Sequence, residues 1–112
     1  MDRDMREKLQ AVVQEYDRLT QLMSTPEIAS DPQIYAKHAK KQRQITEIVT
    51  RFKDFLEDEK QLEGARAMLR EESDPEMRAL AEEEKRELEE SIDDHESTLK
   101  ILLLPKDPND AK

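Results

Sequence analysis

Residues 30–71 read SDPQIYAKHAKKQRQITEIVTRFKDFLEDEKQLEGARAMLRE, and the reading of this stretch decides the fold. It opens on Ser30-Asp31-Pro32. An aspartate there can accept hydrogen bonds from the free amides of a first helical turn. Proline at the next position gives up nothing, because its missing N–H had no helical partner. After this start, Tyr35, His38, Gln42, Ile45, Ile48, Phe52, Phe55, Glu59, Leu62 and Leu69 recur at helical offsets and predict one continuous seam. A helix from Asp31 to about Glu71 would be about 60 Å long at the usual rise. That exceeds an ordinary globular helix and predicts coiled-coil-like packing. Gly64, the chain's single glycine, costs about 1 kcal/mol against alanine inside a helix. It marks a close contact, a bend or simply a tolerated position.

The same start recurs downstream as Ser73-Asp74-Pro75. From Asp74 to about Leu103, Met77, Ala81, Glu84, Leu88, Ile92, His95, Leu99 and Leu102 form a second seam, closed by Pro105. Glu82 and Arg86 stand four apart on this helix, a spacing that favours an ion pair. Upstream, from about Asp4 to Met23, Met5, Leu9, Val12, Tyr16, Leu19 and Met23 are spaced 4, 3, 4, 3, 4, and Ser24-Thr25-Pro26 ends the run. The segments between the two Ser-Asp-Pro starts do not match, so there is no repeat. The predicted fold is all-α: an elongated, antiparallel, coiled-coil-like bundle of three helices, one short and two long.

Composition agrees. Leu, Ile, Val and Phe make up 23 of the 112 residues, near the level at which chains fail to bury a core. A thin apolar stripe along long helices uses that little apolar surface best. With no cysteine, disulfide scaffolds, thiol catalysis and thiolate metal sites are excluded, and a reducing, cytoplasmic setting fits. No apolar run approaches the ~20 residues that span a bilayer. The N-terminal M-D-R-D-M-R-E-K lacks the apolar core of a signal peptide.

The net charge of -9 is unevenly spread. Residues 31–53 carry two acids and six bases, whereas residues 54–98 carry 18 acids and six bases. Within the basic window, K-H-A-K-K-Q-R, Lys37, Lys40 and Lys41 share a helix face, and Arg43 follows. Such a cluster either balances an acidic neighbouring helix or meets phosphates, with binding that weakens as salt rises. No interleaved aromatics support base stacking. The glutamate run Glu82, Glu83, Glu84, Glu87, Glu89, Glu90 reads as a solvated helix face. His38 and His95 both fall on seams, and neither has the ligand spacing of a metal site. One glycine cannot build a phosphate-cradling loop. No catalytic residue, cofactor or metal is expected.

The C-terminal stretch is I-L-L-L-P-K-D-P-N-D-A-K, residues 101–112. Four consecutive aliphatics cannot share one helix face, and two prolines force an exit from the helix. This reads as a hand-over to another domain, with residues 1–104 a helical domain and 105–112 the start of a linker.

These residues also carry a resemblance. Leu102-Leu103-Leu104-Pro105-Lys106-Asp107-Pro108-Asn109-Asp110 resembles the junction that follows the helical N-terminal domain of bacterial class I peptide chain release factors. Asp74-Pro75-Glu76-Met77, then Ala79-Leu80-Ala81 and a glutamate-rich helix, is similar to that domain's last helix. The Pro-Lys-Asp-Pro run favours the branch that acts at UAA and UAG. The resemblance implies a part in translation termination. It implies as partners the GTPase-associated region of the ribosome, with its RNA and stalk-base protein, and the release-factor GTPase. The family hydrolyses peptidyl-tRNA through Gly-Gly-Gln and reads the codon through a Pro-x-Thr motif; neither occurs here, so the chain is expected not to be an enzyme. The Lys37, Lys40, Lys41 and Arg43 face becomes a candidate ribosomal RNA contact by its charge, not by a family motif. Two other readings remain: a stand-alone coiled-coil protein such as a prefoldin-like chaperone subunit, and an RNA-gripping helical arm like that of seryl-tRNA synthetase. Exposed seam residues would allow the isolated chain to form a homodimer.

Overall fold

A computed structural model describes residues 1–104. They form four helices: α1 (Arg3–Met23), α2 (Pro26–Ala29), α3 (Pro32–Glu71) and α4 (Pro75–Leu102). Among the described residues there is no strand. The all-α bundle with two long helices is as the periodicity predicts. The addition is α2, a single turn.

Each boundary has a local chemical cause. The Asp2 side chain accepts from the Met5 amide at 2.7 Å and starts α1. At its end, the Ser24 and Thr25 hydroxyls donate to the carbonyls of Gln21 and Leu22, both at 2.7 Å. Pro26 ends α1 but also begins α2, because proline suits a first helical position as well as it blocks an interior one. Ser30 donates back to Pro26 O at 2.7 Å and closes that turn. Asp31 Oδ1 then accepts from the amides of Gln33 and Ile34, at 3.1 and 3.3 Å, and α3 begins. Asp74 repeats the device for α4, accepting from the Glu76 amide at 3.1 Å. The three-residue turn between α3 and α4 is held by Glu72, whose carboxylate accepts from the Ser73 and Asp74 amides.

The chain divides into two compact units, Met1–Arg51 and one that begins at Phe52. In the first unit, Met5, Leu9, Leu19 and Val49 are buried. Gln42 of α3 donates to Tyr16 O at 3.2 Å and to Thr20 Oγ1 at 2.6 Å, which ties α3 to α1 by a polar edge contact.

In the second unit, Phe52, Phe55, Leu62, Ala65, Ala81, Leu88 and Leu99 are buried. The rings of Phe52 and Phe55 stack with centroids 6.1 Å apart. Asp58 Oδ2 accepts from Ser91 Oγ at 2.5 Å and lies 3.3 Å from His95 Nε2. Arg78 donates to the carbonyls of Leu69 and Glu72. Residue 58 thus faces 91 and 95, and residue 69 faces 78, so this part of α3 and α4 run antiparallel.

The seams need correction at five residues, and so does one expected ion pair. Tyr35 is 41% exposed and Met77 38% exposed, not buried. Tyr35 stands one heptad before Gln42, itself a half-buried polar edge residue, and inherits that edge position. Glu84 is exposed, as its charge requires. Val49 and Ala65, absent from the predicted seam, are buried. Glu82 and Arg86 do not form the expected pair; on this helix Lys85 and Glu89 approach to 3.9 Å.

Candidate nucleic-acid interface

Lys37, Lys40, Lys41 and Arg43 all lie on α3 of the first unit, and all are exposed. The capped start at Asp31 sets the phase of this helix, and the Gln42 hydrogen bonds to Tyr16 and Thr20 fix which side faces α1. At about 100° per residue, Lys37, Lys40 and Lys41 occupy an arc of about 100°. Arg43 lies about 60° beyond Lys40 and about 160° from Lys41. The structure therefore brings the three lysines together and sets Arg43 to the side. Among the described residues, none of the four takes part in an ion pair.

Glu15 of α1 lies within electrostatic reach of Lys41. Arg18 hydrogen-bonds the Glu15 carboxylate at 2.6 and 2.8 Å and holds its carboxyl below the usual range, with Lys41 and then His38 adding smaller pulls. Part of the Lys41 charge is thus balanced across the helix pair.

Tyr35 is exposed, but about 160° around the helix from Lys37. It cannot stack a base against a strand lying on the lysines. The face offers point charges on flexible stems, which suit phosphate rather than base edges.

The histidines make no site. His38 is half-buried, and its Nδ1 has no hydrogen-bond partner. His95 is paired with Asp58. Ser91, Asp58 and His95 have the residue types of a hydrolytic triad in the wrong order. A triad needs histidine between serine and aspartate so that it can take the hydroxyl proton. Here both partners meet Asp58 Oδ2, and the serine spends its proton on the carboxylate. Among the described residues no group of three His, Asp or Glu side chains is placed to hold a metal. No described helix is long and apolar enough to cross a membrane. Sequence reasoning missed the Asp58–Ser91–His95 cluster because it joins residues far apart in the chain.

At the chain's far end, Ile101 and Leu104 are 68% and 65% exposed, while Leu102 and Leu103 are half-buried. Four aliphatics do split between covered and uncovered sides. Residues 105–112, including the Pro-Lys-Asp-Pro run, lie outside the described residues.

The chain is similar to known proteins over nearly its whole length. The PCRF domain model matches residues 12–112. Peptide chain release factor 1 of a Geobacillus species (strain WCH70) is 44% identical over 108 residues, and that of Desulfitobacterium hafniense is also 44% identical. Peptide chain release factor 1 of Bacillus subtilis is 38% identical over the same length. In each case the match covers 96% of this chain and 30% of the relative. No solved structure matches. With the family model matching residues 12–112, nine-tenths of its length, the chain belongs to the PCRF domain family.

Proposed function

We propose that this chain is the docking module of a release factor that acts in translation termination at UAA and UAG codons. In this reading residues 1–104 are its helical domain, and 105–112 lead into the linker that follows. The observation that carries the proposal is the exposed Lys37, Lys40, Lys41 face, which has no ion-pair partner among the described residues of an otherwise acidic chain. It takes the phosphates of ribosomal RNA in the GTPase-associated region, with Arg43 at its margin. The stalk-base protein and the release-factor GTPase are the protein partners that the family resemblance adds. Family membership and the names of the relatives support this role, and the setting in this reading is the cytoplasm. The module is not itself an enzyme: peptide release belongs to parts of a longer protein, consistent with the match to 30% of each relative.

The test is co-sedimentation with ribosomes. The wild-type chain is expected to pellet at low salt and to release no peptide from peptidyl-tRNA. Lys37→Glu/Lys40→Glu/Lys41→Glu should weaken pelleting at least tenfold, and Arg43→Glu alone much less. Unchanged pelleting of the triple variant would remove the proposal, as would hydrolysis by the chain alone.

A further inference from the structure

The second unit carries an apolar patch of a different character. Leu80 is 60% exposed, Met68 41% and Met77 38%. The antiparallel register set by Arg78 and Leu69 places residue 68 beside residues 79 and 80. Met68 lies about 90° from the buried side of α3, and Leu80 about 110° from that of α4, both turned toward the N-terminal sense. In an antiparallel pair those two offsets point to the same flank, so Met68 and Leu80 stand side by side near the turn. Next to Met68, a surface recess is lined by Gly64, Ala67 and Glu71. Isolated exposed aliphatics are ordinary on a protein surface, but neighbours on one flank are a patch.

Its surroundings decide what fits. Glu83, Glu84 and Glu87 follow Leu80 at three, four and seven residues, all exposed. Among the described residues none of them takes part in an ion pair. Residues 54–98 hold 18 acids against six bases. That field repels nucleic acid and an anionic lipid surface. It attracts a segment with aliphatic anchors at helical spacing and lysine or arginine on either side.

We propose that the Met68–Met77–Leu80 patch docks a basic amphipathic helix of a protein partner. The reading above assigns its protein partners no residue, and the patch does not rest on it: patch and lysine face belong to different units and carry opposite charge.

The test uses an 18-residue fluorescein-labelled peptide of lysine and leucine in helical periodicity, and a scrambled peptide of the same composition. Fluorescence anisotropy with the 112-residue chain should show saturable binding at least tenfold tighter for the periodic peptide. Leu80→Glu should weaken it about tenfold. Leu80→Gln should give a smaller loss in the same direction, and circular dichroism should show both variants helical. Equal binding of the two peptides would reduce the patch to bulk charge and overturn the proposal. So would an unchanged affinity in Leu80→Glu. Sedimentation that showed self-association abolished by Leu80→Glu would assign the patch to a second copy and overturn it. The affinity for an RNA oligonucleotide should be the same in Leu80→Glu; a loss would assign the patch to RNA instead. Failure here leaves the lysine-face variants, read by ribosome pelleting, untouched.

Discussion

Replacing Gly64 by alanine should stabilise the protein, and the size of the effect tests whether α3 is one continuous helix. Gly64 sits inside α3, and its φ is not positive, so no special backbone conformation calls for glycine. A Cβ built there meets nothing within 4 Å. The exchange therefore removes only the conformational freedom of glycine in the unfolded chain and adds no clash. The helix-propensity difference is about 1 kcal/mol in favour of alanine. For a domain near this size that corresponds to a rise in Tm of roughly 4–8 °C. The assay is thermal and urea unfolding followed by circular dichroism at 222 nm, with Gly64→Pro as a companion that should cost about 3 kcal/mol or more. If alanine left Tm unchanged or lowered it, a neighbour would have to approach Gly64 closely, or the helix would have to break there. The first outcome would refute the open space around Gly64 and the second the continuous α3.

Three further outcomes follow from the packing and the caps. Phe55→Ala removes a ring with no solvent exposure that stacks on Phe52, and should destabilise by about 3–5 kcal/mol in urea unfolding. Asp74→Ala removes the acceptor of the Glu76 amide and should cost about 1 kcal/mol, whereas Asp74→Ser should recover most of it. Glu15→Gln tests the Arg18 pair through pH. The folded-state pKa of Glu15 is depressed, so its contribution is present above the ordinary carboxylate pKa and is lost as pH falls through the folded value. The variant should be less stable than wild type at neutral pH, with the gap closing in the acid range; a constant gap would mean that the charge is not involved.

The residues show why much of the fold was legible. Asp31 and Asp74 announce themselves because capping is local: acceptor and amides lie within three residues. Phe52, Phe55, Leu62, Leu88 and Leu99 are large aliphatic or aromatic side chains at a steady helical period, and all five are buried. Where the period runs over polar or terminal positions it misleads. Tyr35 at the start of α3 and Met77 at the start of α4 keep the phase yet stay exposed. Val49 and Ala65 are buried in places where the seam was carried by a neighbour or a gap. The turn α2 is hidden in the sequence because Pro26 is both the stop of α1 and the first residue of α2.

The candidate interface divides the same way. The shared face of Lys37, Lys40 and Lys41 follows from helix offsets, and the same arithmetic separates Arg43 from them. The Glu15 neighbour of Lys41 and the Asp58–Ser91–His95 cluster depend on which helices meet and in what register. No local pattern encodes that.

The docking account is tested most directly by the salt dependence of binding to ribosomal RNA. Each phosphate contact that releases a counterion contributes a slope of about -0.7 to -0.9 in log affinity against log salt. Three lysines predict a slope of about -2 to -3 for the wild-type chain, falling close to zero in Lys37→Glu/Lys40→Glu/Lys41→Glu. Equal slopes in the two proteins would contradict the account.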